Sequence, residues 1–231
     1  AVIMAEDLAE VSPGILQIAA AASPWQHVRP IGEDIVATEL VVPGGHLLRP
    51  ADLGALLASG VLKVPVRSRP RVAVIPTGTE LVAPSENPRP GDLVEYNSVV
   101  ISGLIQEWGG LPRRFPPVPD DVDAIRETVR GAVDTCDMVI INAGSSAGRE
   151  DFTARIISEL GQVLVHGVAI KPGKPVILGI VPENGDRGSV METGGVKPAI
   201  GLPGYPVSAY ITCELFVRPL IYRALGLPEP A

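Results

Sequence analysis

The sequence predicts an α/β protein built on a mainly parallel sheet, preceded by a smaller β-rich module. Three observations carry that expectation. Hydrophobic residues make up 46% of the chain and aromatics only 4%, so aliphatic side chains must fill the interior, as in parallel strands buried on both faces. Beyond residue 70, strand-like aliphatic runs alternate with helix-like segments, the sign of a parallel sheet. Finally, Met138–Ile141 runs into a loop of small residues that ends on a carboxylate, Asp151. Ligands of open α/β sheets bind where strands end, so this loop is the first place to seek a site.

The 231 residues suffice for one large or two modest domains. Residues 1–68 are expected to form the β-rich module, with extended pieces at Val28–Glu33, Glu39–Val42 and Val61–Val66. One helix is expected at 49–60, with Pro50 near its start and Gly60 stopping it. Residues 69–226 form the α/β domain, and 227–231 read as a linker stub. Within the domain, strands are expected at Val72–Ile75, Arg114–Val118, Met138–Ile141, Val163–Ile170, Val176–Val181 and Ala199–Leu202. Helices are expected at Asn97–Trp108, Asp121–Val133, Phe152–Leu160 and Pro206–Leu225. Glu183–Gly195 reads as a polar, hairpin-like insert.

Net charge is −7, which argues against a general nucleic-acid binder. No apolar run approaches a membrane span. Cys136 and Cys213 are too few for a disulfide framework or zinc cluster and read as small buried residues of a reducing, cytoplasmic protein. His27, His46 and His166 lack ligand-like spacing. His166, in a predicted strand, reads as structural, and Trp25 and Trp108 read as packing residues.

Polar groups follow five of the six predicted strands of the domain: Thr77, Gly78 and Glu80; Asp120 and Asp121; Asn142 to Asp151; Lys171 to Pro175; and Pro203 to Ser208. Parallel strands aim their carboxyl ends the same way, so these loops should meet along one rim and bring carboxylates and lysines to an anionic ligand. Each residue has a plainer reading. Asp120 and Asp121 taken alone are more often helix caps, Glu80 alone a solvated carboxylate, and Asp151 divides evenly between cap and ligand. The Lys171–Pro175 turn lacks the spacing of a P-loop, and no Gly-X-Ser-X-Gly elbow is present.

Four segments, Thr77-Gly-Thr-Glu-Leu81, Asp137 to Thr153, Ala169 to Pro175 and Gly201 to Ala209, occur in an order that resembles MoeA-type molybdopterin molybdotransferases, relatives of the E domain of gephyrin. Residues 1–68 resemble the family's preceding segment. The resemblance implies a three-layer molybdopterin-binding domain that inserts molybdenum from molybdate into adenylated molybdopterin and releases AMP. By position it implies Asp151, Glu80, Asp120 and Asp121 as the acidic catalytic set, with Asp151 and Glu80 near Mg2+. It implies cofactor contacts at Thr77, Gly78, Asn97, Asn142, Gly144, Ser145, Ser146 and Gly148. Further contacts are implied at Lys171, Pro172, Gly173, Lys174, Pro175, Pro203, Gly204, Pro206 and Ser208, with Lys171, Lys174 and Ser208 at molybdate-binding positions. It also implies a homodimer and a molybdopterin adenylyltransferase as partner.

Several positions depart from the family pattern. Thr79 stands where Asp is common, Ala143 replaces a Gly, and Glu95-Tyr-Asn-Ser98 lacks the usual arginine. Tyr205 stands where Asn is frequent. The family's first segment and its C-terminal β-barrel are expected outside the chain. The departures at Thr79 and Ser98 motivate a competing expectation, a non-catalytic pterin- or molybdate-sensing module.

Overall fold

The computed structural model describes residues 1–84, 89–143, 149–183 and 195–228, with the side chains of Arg149, Glu150 and Asp151 outside the description. The predicted insert at Glu183–Gly195 therefore lies almost wholly outside it. The chain divides into two compact units, Ala1–Pro65 and Val66–Ala231.

In the first unit, β1 (Leu8–Ser12) and β2 (Ile15–Ile18) form an exposed antiparallel hairpin, turned at Pro13-Gly14 where Gly14 takes φ +78°. The pieces expected to be strands at 28–33, 39–42 and 61–66 are turns or unpaired chain. Pro30, Gly32, Pro43, Gly44 and Pro65 break each run before a ladder can form. Helix α1 (Pro50–Ala58) starts at its proline as expected. Asp52 anchors it, accepting from the Arg49 backbone N–H at 2.7 Å and guanidinium Nε at 3.1 Å, and bonding His46 Nε2 at 2.9 Å. These contacts, led by the Arg49 side chain, hold the Asp52 carboxyl well below the usual carboxylate range. Trp25 is exposed in this unit, against the packing role expected of it.

The second unit carries the parallel sheet. Its elements are β3 (Arg71–Thr77), β4 (Leu81–Val82), β5 (Leu93–Val94), α2 (Asn97–Glu107), β6 (Leu111–Arg114), α3 (Val122–Thr135) and β7 (Met138–Ala143). There follow α4 (Arg149–Leu160), β8 (Gln162–His166), β9 (Ile177–Pro182), β10 (Val196–Pro203), α5 (Pro206–Thr212) and α6 (Arg218–Leu225). Among the described residues, six strands form one sheet in the order β6-β3-β7-β10-β9-β8. β6, β3, β7 and β10 are mutually parallel, and β9 runs against both β10 and β8.

Alternation along the strands sorts the core into two layers. Ala73, Ile75, Val139 and Ile141 face Ile125 and Val129 of α3 and Ile156, Ile157 and Leu160 of α4. Val72, Val74, Ile140 and Ile200 face Ile101 and Ile105 of α2 and Val217 and Ile221 near the C-terminus. Trp108 packs in that second layer, as expected. Helices on both faces make the architecture three-layered, the expected fold class. Arg126 of α3 and Arg155 of α4 both reach Glu159 at 2.8 Å across the first layer's outer edge.

Other boundaries moved. The predicted strand at 114–118 is β6 at Leu111–Arg114, with Val118 adding one further parallel bridge to Thr77. β8 stops at His166, which is exposed rather than buried. The predicted continuous helix at 206–225 is interrupted by a π turn at Cys213–Val217. Pro219 has no N–H to give the Leu215 carbonyl, and its ring would clash there. The widened turn accommodates this, Arg218 N–H donating to Cys213 O instead.

Asp137 aligns the central strands at their start. It accepts from the Arg71 backbone N–H at 2.7 Å and the guanidinium at 3.1 Å, and its own N–H donates to Arg71 O. Partial burial pushes its carboxyl up, but the Arg71 side chain and N–H, with the Arg71 and Lys197 charges, outweigh that and leave it below the usual range. A depressed folded-state pKa stabilises above the unfolded-state value and is lost as pH falls through the folded one. Asp137→Asn should therefore cost about 1 kcal/mol at pH 7, the exposed ion pair being screened. Urea denaturation should show the gap between wild type and variant closing as the pH drops below the ordinary carboxylate range; a gap unchanged at low pH would contradict the assignment.

Candidate functional site

The sheet order creates one crevice. β3 and β7 are neighbours, yet β3 leaves toward β6 through α2 on one face while β7 leaves toward β8 through α4 on the other. Loops that part in this way open a cleft at the carboxyl ends of the strands. The loop after β8 reaches the same rim, since β8 runs parallel to β10 through two antiparallel pairings. The strands that these loops follow thus end at one edge of the sheet, with residues 144–148 of the loop after β7 outside the described residues. They do not share one point: the ends of β3 and β8 are four strand spacings apart, roughly 19 Å.

At the β3 end, the loops after β3 and β6 are clasped together. Gly78 N–H donates to Val118 O at 2.9 Å, and Asp120 accepts from Thr79 N–H at 3.2 Å while Asp120 N–H donates to Thr79 Oγ1 at 3.1 Å. Asp121 is the N-cap of α3, accepting from Ala124 N–H at 2.8 Å, the plainer of its two readings. Glu80 is half-buried beside the β4–β5 pair, its carbonyl taking the Leu93 N–H. Among the described residues, no three His, Cys, Asp or Glu are grouped to hold a metal ion; the side chain of Asp151, the remaining member of the acidic set, lies outside them.

In the middle, two amides organise the rim. Asn142, at the end of β7 and 4% exposed, donates from Nδ2 to Pro203 O at 2.8 Å. Its Oδ1 accepts from Asn97 Nδ2 at 3.0 Å, and Asn97 donates in turn to Gly204 O at 2.8 Å. The start of α2, the end of β7 and the turn after β10 are thereby joined. Both asparagines were expected to touch the cofactor; here their side chains serve this network. Just before Asn97, buried Glu95 accepts from Ser98 N–H at 2.7 Å and from its hydroxyl. That pairing occupies the positions where the sequence departs from the family pattern.

Beside this network lies a cavity of about 250 Å³ lined by Ala143, Thr153, Pro175, Ile177, Leu202 and Tyr205, among others. Pro203, Gly204, Pro175 and Ser208 also line it, joining four expected contacts. A Cβ on Gly201 would lie 2.8 Å from Thr153 Cγ2, so only glycine allows β10 and α4 to approach this closely. Asn97 and Pro206 border instead a shallower apolar groove between α2 and α5, with Val100, Val207 and Tyr210. Thr77 and Gly78 are buried in the sheet edge. Gly144, Ser145, Ser146 and Gly148 lie outside the described residues, and Asp151 is placed only as part of the first turn of α4.

The loop between β8 and β9 borders the cavity through Pro175. Gly173 holds φ +107°, and a Cβ there would lie 2.6 Å from Thr212 Cγ2, so the turn packs tightly on α5 with Gly173 buried. Lys171, Pro172 and Lys174 are exposed around it. Neither lysine has a hydrogen-bonded or ion-paired partner among the described residues, so both ammonium groups are available to an anion. Sequence reasoning missed Thr153, Ile177, Gly201 and Tyr205 as cavity walls. The glycine inside a strand was the one available signal.

Residues 73–223 match the family described as probable molybdopterin binding domain, and residues 1–60 match the MoeA N-terminal region. The chain belongs to the MoeA family. Among the relatives of this MoeA-type chain, molybdopterin molybdenumtransferase 2 of Mycobacterium tuberculosis is 33% identical over 90% of the chain and 50% of its own length. A molybdopterin molybdenumtransferase of Haemophilus influenzae is 31% identical over 98% of the chain and 53% of its own. A crystal structure of a molybdopterin biosynthesis MoeA protein from Pyrococcus horikoshii superposes with a TM-score of 0.73 at 37% identity, covering 97% of the chain and 53% of that protein. The MoeA-type chain thus spans about half the length of the curated relatives it matches.

If Asn142 is structural, Asn142→Leu should cost about 2–3 kcal/mol, because it strands buried polar partners. The half-buried Asn97→Ala should cost only about 1 kcal/mol. Chemical denaturation of both variants checks this; equal, negligible losses would remove the network's role.

Proposed function

We propose that this chain is the substrate-handling core of a molybdopterin molybdotransferase, acting in molybdenum insertion into adenylated molybdopterin with release of AMP. The observation that carries the reading is the adjacency, on one rim of a three-layer sheet, of an apolar cavity and two exposed lysines with no hydrogen-bonded or ion-paired partner among the described residues. The ligand has the matching halves: a planar heterocycle that suits apolar walls, and phosphate and oxyanion groups that suit charge-assisted hydrogen bonds from ammonium groups. The transferase names of the relatives favour this over a sensing role.

In this reading Lys171 and Lys174 attract molybdate and the ligand's phosphates, and Ser208 offers a hydroxyl at the cavity wall. Asp151, in the first turn of α4, acts at the adenylyl phosphate and, with Glu80, would be sought near Mg2+. The described carboxylates Asp120 and Asp121 are engaged in loop and cap contacts, so Mg2+ would be held with the help of the ligand's phosphate oxygens. The adenylated substrate requires a preceding adenylyl transfer onto the pterin phosphate, hence a molybdopterin adenylyltransferase as supplier. A homodimer and a cytoplasmic setting complete the proposal; no described helix is long and apolar enough to cross a membrane.

Isothermal titration of the full-length protein with adenylated molybdopterin tests the reading, and absence of heat at saturating ligand would sink it. Lys171→Ala and Lys174→Ala should each weaken binding about tenfold, the loss shrinking as salt rises. Asp151→Asn should stop AMP release while leaving binding within a few-fold, as followed by chromatography of released AMP. Undiminished AMP release would remove Asp151 from the chemistry.

A further inference from the structure

We propose that Tyr205 is a specificity-determining residue that forms one wall of the binding slot, stacking on a planar, nitrogen-rich fused heterocycle. The inference rests on the functional reading above and deepens it. Tyr205 lines the cavity together with Pro175, Leu202 and Pro203, yet the residue remains 65% exposed. It sits at the N-cap of α5 in extended backbone, φ −65° and ψ 127°, with no side-chain capping bond. Its hydroxyl makes no hydrogen bond among the described residues. An aromatic ring in that position contributes neither packing nor a cap. A residue such as Asn would do better for the helix, since its side chain can accept the free N–H groups of the first turn.

The surrounding backbone is held while the ring is free. Asn97 fixes Gly204 O, Asn142 fixes Pro203 O, and Tyr205 O accepts the Ala209 N–H at 2.8 Å. A tyrosine presented from so constrained a turn has few rotors left to order, which makes it an effective flat contact surface. Tyr96 and Tyr210 are also exposed, but of these tyrosines Tyr205 is the one that lines this cavity. Aromatic faces stack on heterocycles with little dependence on their substituents. Both halves of an adenylated pterin carry such a ring, so the experiment must distinguish pterin from adenine.

The test is a fluorescence and calorimetric titration of wild type, Tyr205→Phe and Tyr205→Ala with two probes, 6-carboxypterin and AMP, alongside thermal melts. Stacking predicts that Tyr205→Phe binds within about twofold of wild type. Tyr205→Ala should lose about tenfold, 1.4 kcal/mol, for one probe only, with an unchanged melting temperature. The affected probe identifies which ring lies on Tyr205. Equal binding of both probes by wild type and Tyr205→Ala overturns the role of Tyr205 while leaving the functional reading in place. A loss in Tyr205→Phe as large as in Tyr205→Ala overturns stacking in favour of the hydroxyl. Failure of wild type to bind either probe overturns this inference; the functional reading is judged separately by titration with the intact adenylated ligand.

Discussion

The side-chain amide of Asn142 is the constraint on which the rim depends. A buried amide must find partners for both its ends or destabilise the fold, and here the partners are the turn after β10 and the first residue of α2. Three segments distant in sequence are therefore brought into one register by a single side chain. The cavity, the exposed Tyr205 and the loop that carries the lysines all adjoin the turn that Asn142 holds.

Around that fixed centre, the ends of the rim use different chemistry. The β3 end is closed by internal contacts: Asp120 holds Thr79, and Asp121 caps α3. At the β8 end Gly173 is wedged against Thr212, and Lys171 and Lys174 are exposed on that tightly packed turn, with no partner among the described residues. Acidic and basic groups separated by several strand spacings suit an elongated ligand with chemically distinct ends. They do not suit a compact ion-paired cluster, where opposite charges would neutralise one another.

The departures from the family pattern acquire a structural meaning in this frame. Thr79 meets Asp120 through its hydroxyl and N–H, where a second carboxylate would repel it unless a cation lay between. Ser98 supplies the partner that buried Glu95 needs without a guanidinium. Neither substitution leaves a polar group stranded, so both are compatible with the fold, and the sheet and its crevice do not depend on them.

Much of this protein was legible from its amino acids alone. Near-continuous aliphatic runs gave away β3, β7, β9 and β10, because strands buried on both faces admit few other residues. Loop chemistry placed polar groups after β3, β7 and β10. Repeated strand–helix order implied that those ends coincide, since parallel strands cannot do otherwise. What local pattern could not convey was how far a ladder continues: the runs at 28–33 and 39–42 look extended but find no partner strand, and β6 is chosen by its neighbour β3 rather than by its own residues. Side-chain roles likewise waited on the tertiary structure. The sequence did not show that Asn142 joins the turn after β10 to α2 or that Asp121 caps α3, and Tyr205 and Thr153 became cavity walls only when β10, α4 and α5 converged. Composition and periodicity depend on neighbours along the chain, whereas a binding surface depends on neighbours in space.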